Sequence, residues 1–117
     1  MTSDASLQPW SIVIVPFPYS ERLAEKRRPA LIVSNASLLR EGYLWIAMIT
    51  GSAKSRCAGD VPIDNLAEAG LPGPSMVRTS KLATIEPERI VRAAGRLAAS
   101  ERDAVRIAIM DFLAARS

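Results

Sequence analysis

Three kinds of side chain in this sequence could carry chemistry: clustered cations, hydroxyls beside apolar runs, and scattered carboxylates. Six bases (Lys26, Arg27, Arg28, Arg40, Lys54 and Arg56) fall between positions 26 and 56 against one acid, Glu41. This local excess suits an anionic partner, and arginine in particular can offer paired N–H donors to two phosphoryl oxygens. Such donors stabilise the charge that gathers on a phosphate during ester cleavage, but a group whose pKa exceeds about 12 is a poor general base. Thr50, at the end of YLWIAMIT, adds a hydroxyl able to donate and accept. No histidine is present, so the commonest proton shuttle near neutral pH is absent. Cys57, the only cysteine, can form no internal disulfide and no ordinary Cys/His zinc set. We expect a free thiol there, and no metal or cofactor.

These groups must be positioned by short strands. SIVIVPF (11–17) is rich in β-branched residues and bounded by prolines, which predicts a buried strand. A charged loop (19–27) follows, and Pro29 is expected as the first residue of a second strand through ALIVS. A connector holding Asn35 and Gly42 precedes a third strand over 43–50, and 51–59 reads as a polar loop. Further short strands are expected at 60–63, 75–79, 81–85 and 90–92, with turn residues Gly70, Pro72, Gly73 and Pro74 between. The last segment is helical: Ser100 is the expected cap, with Asp103 three residues on, and Val105, Ala108, Ile109, Phe112 and Leu113 form a packing stripe. Trp10 and Trp45 are expected in the core in preference to stacking on bases. Short strands with one terminal helix and no βαβ rhythm predict a mainly β chain, a small antiparallel barrel.

At 117 residues the chain suits one domain, expected over 10–117 behind a flexible tail at 1–9. Hydrophobic residues make up 49% and charged residues 23%, a balance that excludes disordered and fibrous classes. No run approaches the length of a membrane span and the N-terminus lacks a basic-then-apolar leader, so a cytoplasmic, membrane-free location is expected.

Three segments in order resemble the MazF/PemK toxin family: SIVIVPFPYSERLAEKRRPALIVSN, WIAMITGSAKS and SMVRTSKLATI. With the terminal helix the resemblance covers roughly residues 11–113. It implies an SH3-like barrel of the PemK/CcdB type with a C-terminal helix, a homodimer, a cognate antitoxin, and metal-independent cleavage of single-stranded RNA (mRNA) at short sequences. Arg28 and Thr50 then take the places of the family's active-site arginine and threonine, and Arg78 that of a second arginine used by some members. Lys26, Arg27, Ser52, Lys54, Ser80 and Lys81 are the accompanying candidates for RNA contact. Two departures stand out: Ser80 where certain members carry a catalytic aspartate, and Trp10-Ser11 where the family typically has Gly-Asp. Glu21, Glu25, Asp60 and Glu86 are the carboxylates near these segments, and sequence leaves the general base open among them. Arg78 could equally form a structural ion pair. Two other functions are compatible with such a barrel, a CcdB-like gyrase poison and a non-catalytic RNA- or peptide-binding module.

Overall fold

The computed structural model describes residues 7–16 and 26–115. The β-branched run forms β1 (Ser11–Pro16), whose Ile12, Val13 and Val15 are fully buried. β2 spans Arg27–Ile32 and β3 Leu44–Gly51. β4 is Asp60–Ile63, β5 Ser75–Ile85 and β6 Arg92–Arg96. Every pairing is antiparallel, in the order β4-β5-β3-β2-β1-β6. The charged loop over 19–25, Phe17 and the first six residues of the expected tail lie outside the described residues.

Several boundaries differ from the sequence reading. Pro29 is the third residue of β2, paired with Ile14; β2–β3 pairing starts only at Ala30, so the missing N–H interrupts no bond to β3. The two strands expected at 75–79 and 81–85 are one 11-residue strand, because the register against β3 jumps between Ala47↔Leu82 and Met48↔Arg78. Thr79, Ser80 and Lys81 fill that bulge. β6 starts at Arg92, where the expected strand ends. Two short helices went unforeseen, α1 (Ala36–Arg40) and α2 (Leu66–Ala69), each opened by an asparagine whose side chain caps a backbone N–H.

The terminal helix α3 is Ala99–Phe112. Ser100 does not cap it; the helix begins earlier, at N-cap Ala98, without a side-chain hydrogen bond. Its first-turn Glu101, 8% exposed, instead accepts the Asp64 and Asn65 N–H groups at 2.6 and 3.1 Å, tying α3 to the entrance of α2.

Apolar side chains pack on both faces of the sheet. Ile12, Leu31, Ala47, Ile49, Val77 and Leu97 meet Val105 of α3 on one. Val13, Val15, Ala30, Ile32, Leu44, Ile46 and Ile85 fill the other, with Leu39 of α1 and Ile90 against them. The α3 stripe packs unevenly: Val105 is buried and Ile109 is partly buried against the same core, whereas Phe112 and Leu113 are about half exposed or more. Trp45 is not in the core, being 49% exposed; an apolar groove of about 830 Å³ separates it from Ile109, Met110 and Leu113, with Trp10 and Leu82 also lining it. The helix stops short of covering that part of β3.

Trp10 adopts φ +71, left-handed backbone that glycine takes more easily. It is held there by Trp10 N–H to Ile32 O and Leu97 N–H to Trp10 O, both 2.8 Å, which join the ends of β2 and β6.

The sheet's outer strands are closed differently. Beyond β6, α2 and its C-cap Gly70 (φ +72) press onto the strand: a Cβ on Gly70 would collide with the Ala94 carbonyl, and one on Gly95 with the carbonyls of Glu68 and Ala69. At β4, the Asp60 N–H is taken by Cys57 O at 3.1 Å, and two residues on Pro62 has no N–H at all. Among the described residues no helix is long and apolar enough to cross a membrane.

Candidate active site

The register of the sheet decides which functional side chains share a surface. Ala30 pairs with Met48, Met48 with Arg78, and Arg78 with Asp60. Continuing β2 against β3 in the same register puts Arg28 opposite Thr50, and Thr50 pairs with Met76 on β5. Side chains at paired positions leave the same face, so Arg28, Thr50, Arg78 and Asp60 lie on one face in two adjacent rows. Thr50 and Arg78 are diagonal neighbours, a spacing of about 7–8 Å in antiparallel sheets. This is the face opposite α3.

Arg28 is half-buried, paired with Val15 at the end of β2 where β3 has already separated. Thr50 is only 5% exposed. Lys26 and Arg27 are exposed beside Arg28; Ser52 and Lys54 are exposed in the loop after β3, and Ser80 and Lys81 in the β5 bulge. Glu86 is exposed at the end of β5, and Glu21 and Glu25 lie outside the described residues.

Arg78 is already engaged. Its Nε donates to Asp60 Oδ1 at 3.2 Å, and its Nη2 to Asp60 Oδ2 at 3.0 Å and Ser55 O at 2.6 Å. The Asp60 side chain is completely buried and the Arg78 side chain 13% exposed. Asp60 Oδ2 also accepts the Cys57 N–H at 2.7 Å. This ion pair is the feature sequence spacing could not supply, since its members lie 18 positions apart on different strands. Cys57 is free and exposed, and among the described residues no group of His, Cys, Asp or Glu could hold a metal.

Burial alone would raise the Asp60 carboxyl. The hydrogen bonds from Arg78 and Cys57, with the charges of Arg78 and Arg56, outweigh it and hold the group below its ordinary range. A carboxylate so stabilised is a weak proton acceptor, which argues against Asp60 as the general base. A lowered folded-state pKa contributes stability at pH values above the unfolded value of about 3.9, and loses it as pH falls through the folded value. Acid unfolding followed by circular dichroism should therefore show stability declining below about pH 4, with a shallower decline in Asp60→Asn. Identical pH curves for the two proteins would contradict this assignment.

A curled antiparallel sheet with a C-terminal helix, presenting cations and a strand-end hydroxyl on one face, is the architecture of the small MazF toxins. The chain belongs to the PemK-like, MazF-like toxin family of type II toxin-antitoxin systems, whose model matches residues 8–113. Members of that family are endoribonucleases. Among solved structures the chain is similar to the Mycobacterium tuberculosis toxin MazF-mt6, at 29% identity and TM-score 0.70 over 86% of this chain and 93% of that one. It shares its fold with MazF of Deinococcus radiodurans, at 20% identity and TM-score 0.68 over 89% and 93% of the two chains. It also shares it with a mycobacterial endoribonuclease solved with its cognate antitoxin, at 14% identity and TM-score 0.71 over 92% and 98%. No curated protein matches the chain significantly in sequence.

Proposed function

We propose that this toxin cuts single-stranded RNA, including mRNA, at short sequences without a metal, and that Arg28 and Thr50 do the central work. The single observation that supports the reading is that the half-buried Arg28 and Thr50 belong to the same face of the neighbouring strands β2 and β3. In the proposed step the 2′-oxygen bonds to the adjacent phosphorus and the P–O5′ bond breaks. The 2′ proton leaves to a base and a proton reaches the departing O5′, giving a 2′,3′-cyclic phosphate and a 5′-hydroxyl. Arg28 would stabilise the charge growing on the phosphoryl oxygens, and Thr50 would hold an oxygen in line. Lys26, Arg27, Ser52, Lys54, Ser80 and Lys81, all exposed, would guide the RNA backbone.

The test is direct. Wild-type protein incubated with mixed RNA in excess chelator should yield discrete fragments with 5′-hydroxyl ends. Intact RNA, or cutting that needs added divalent metal, would refute the proposal.

The antitoxin complex of a structural relative supports a cognate antitoxin here, which would lay an acidic segment over the same cations. Pairing with a second copy is supported by the uncovered groove beside α3, where Trp45, Met110 and Leu113 are about half exposed or more. Sedimentation at micromolar concentration should show a dimer for the wild type and a monomer for Met110→Glu/Leu113→Glu. A wild-type monomer would remove the dimer.

A further inference from the structure

Asp60 has no role in the cleavage step proposed above, yet it is the most completely engaged carboxylate near that face. Its side chain is inaccessible to solvent and both oxygens are occupied, Oδ1 by Arg78 Nε and Oδ2 by Arg78 Nη2 and the Cys57 N–H. The same Nη2 reaches the Ser55 carbonyl. One carboxylate and one guanidinium thereby grip two backbone points, Ser55 and Cys57, in the exposed loop that runs from the end of β3 to the start of β4. The loop's other ties lie near its ends: Ser52 N–H to Pro74 O, Lys54 N–H to Gly51 O, Asp60 N–H to Cys57 O, and the buried Thr79 hydroxyl, which donates to Gly59 O at 2.7 Å.

We infer that Asp60 is a positioning residue: through Arg78 it fixes the shape of the loop over 51–59, and so decides which RNA sequences the site accepts. The second half of this inference rests on the nuclease reading; the first half does not. The loop starts one residue after Thr50 and carries Ser52, Lys54 and Arg56 on its exposed surface. Where those donors point is set by where Ser55 and Cys57 are held. A bidentate, desolvated pair suits this task because its planar fork fixes orientation as well as distance. Arg78, in consequence, acts on the loop and not on the scissile phosphate: two of its three nitrogens are committed to the clamp.

Asp60→Asn tests both halves. The amide keeps the shape but sets N–H donors against the Arg78 guanidinium or the Cys57 N–H. Hydrogen exchange in the free protein should show the Cys57 amide and its loop neighbours opening about tenfold faster, with the strands unchanged. On mixed RNA, the preference between the favoured cut sequence and the next best should fall about tenfold, with kcat within about threefold and KM raised. Unchanged loop exchange would overturn the clamp. A kcat loss of about 10²-fold or more with site preference intact would make Asp60 a proton-transfer residue and overturn the inference. Exchange raised equally throughout, with site preference intact, would reduce Asp60 to fold support and overturn it too. If wild-type protein cuts no RNA, the nuclease reading and the specificity half fail together, while the exchange data alone judge the clamp. Should Asp60→Asn not fold, Arg78→Lys replaces it: one ammonium cannot span both carboxylate oxygens and the Ser55 carbonyl, so the same loop-confined exchange and loss of preference are expected.

Discussion

Replacing Arg28 with alanine should slow RNA cleavage by about 10²–10³-fold while leaving the fold intact, the scale seen when one preorganised donor is removed from a developing oxyanion. The site's geometry separates the two effects. Arg28 sits at the end of β2 beyond the last β2–β3 pair, outside both apolar clusters. Its loss should therefore change stability by no more than about 0.5 kcal/mol, as for other substitutions away from core and network. Arg28→Lys keeps the charge but loses the two-pronged donor geometry, and should recover only part of the rate. The measurement is the initial rate of appearance of 5′-hydroxyl ends, beside a thermal melt of each variant. Undiminished cutting by Arg28→Ala would remove Arg28 from the mechanism.

Gly95→Ala should be the most damaging single-methyl change in the sheet, costing about 3 kcal/mol by overpacking. The added carbon would meet the Ala69 carbonyl carbon at 2.5 Å and the Ala69 oxygen at 2.6 Å, with the Glu68 carbonyl also in collision. Backbone cannot swing aside as the tip of a long side chain can, so either α2 lifts from β6 or the strand shifts. A domain with total stability of about 5–15 kcal/mol would feel this as a fall in Tm of about 10 °C or more. Gly73→Ala is the natural control, because a carbon there meets nothing within 4 Å. Equal melting temperatures for Gly95→Ala and Gly73→Ala would show that the α2–β6 contact is not as close as described.

What could be read from the sequence follows the range of the forces involved. The strands rich in β-branched residues were legible because alternation and bounding prolines are local signals; Asp60–Ile63 matches to the residue. The five-residue α1 and four-residue α2 were not, since neither is long enough to show helical periodicity. Ser100 reads as a cap by type, but α3 starts two residues earlier, and its first-turn Glu101 is drawn to the backbone at Asp64 and Asn65, contacts 37 and 36 positions away. Trp45 reads as core by its neighbours in WIAMIT, and is half exposed because α3 ends its cover at Ile109. At the site, Arg28 and Thr50 were marked by family resemblance rather than by spacing. The Arg78–Asp60 pair was one of two open readings of Arg78, and only the β4–β5 register brings its partner to it.

The treatment of the two outer strands limits how this toxin can associate. With the β6 rim occupied by α2, and the β4 rim presenting a spent N–H at Asp60 and none at Pro62, strand-to-strand growth finds no row of donors to copy. In the dimer proposed above, contact between copies is then expected from side chains rather than from extension of the sheet at either of these rims. Assembly should therefore carry a negative heat-capacity change and little dependence on salt, unlike the encounter with a polyanion.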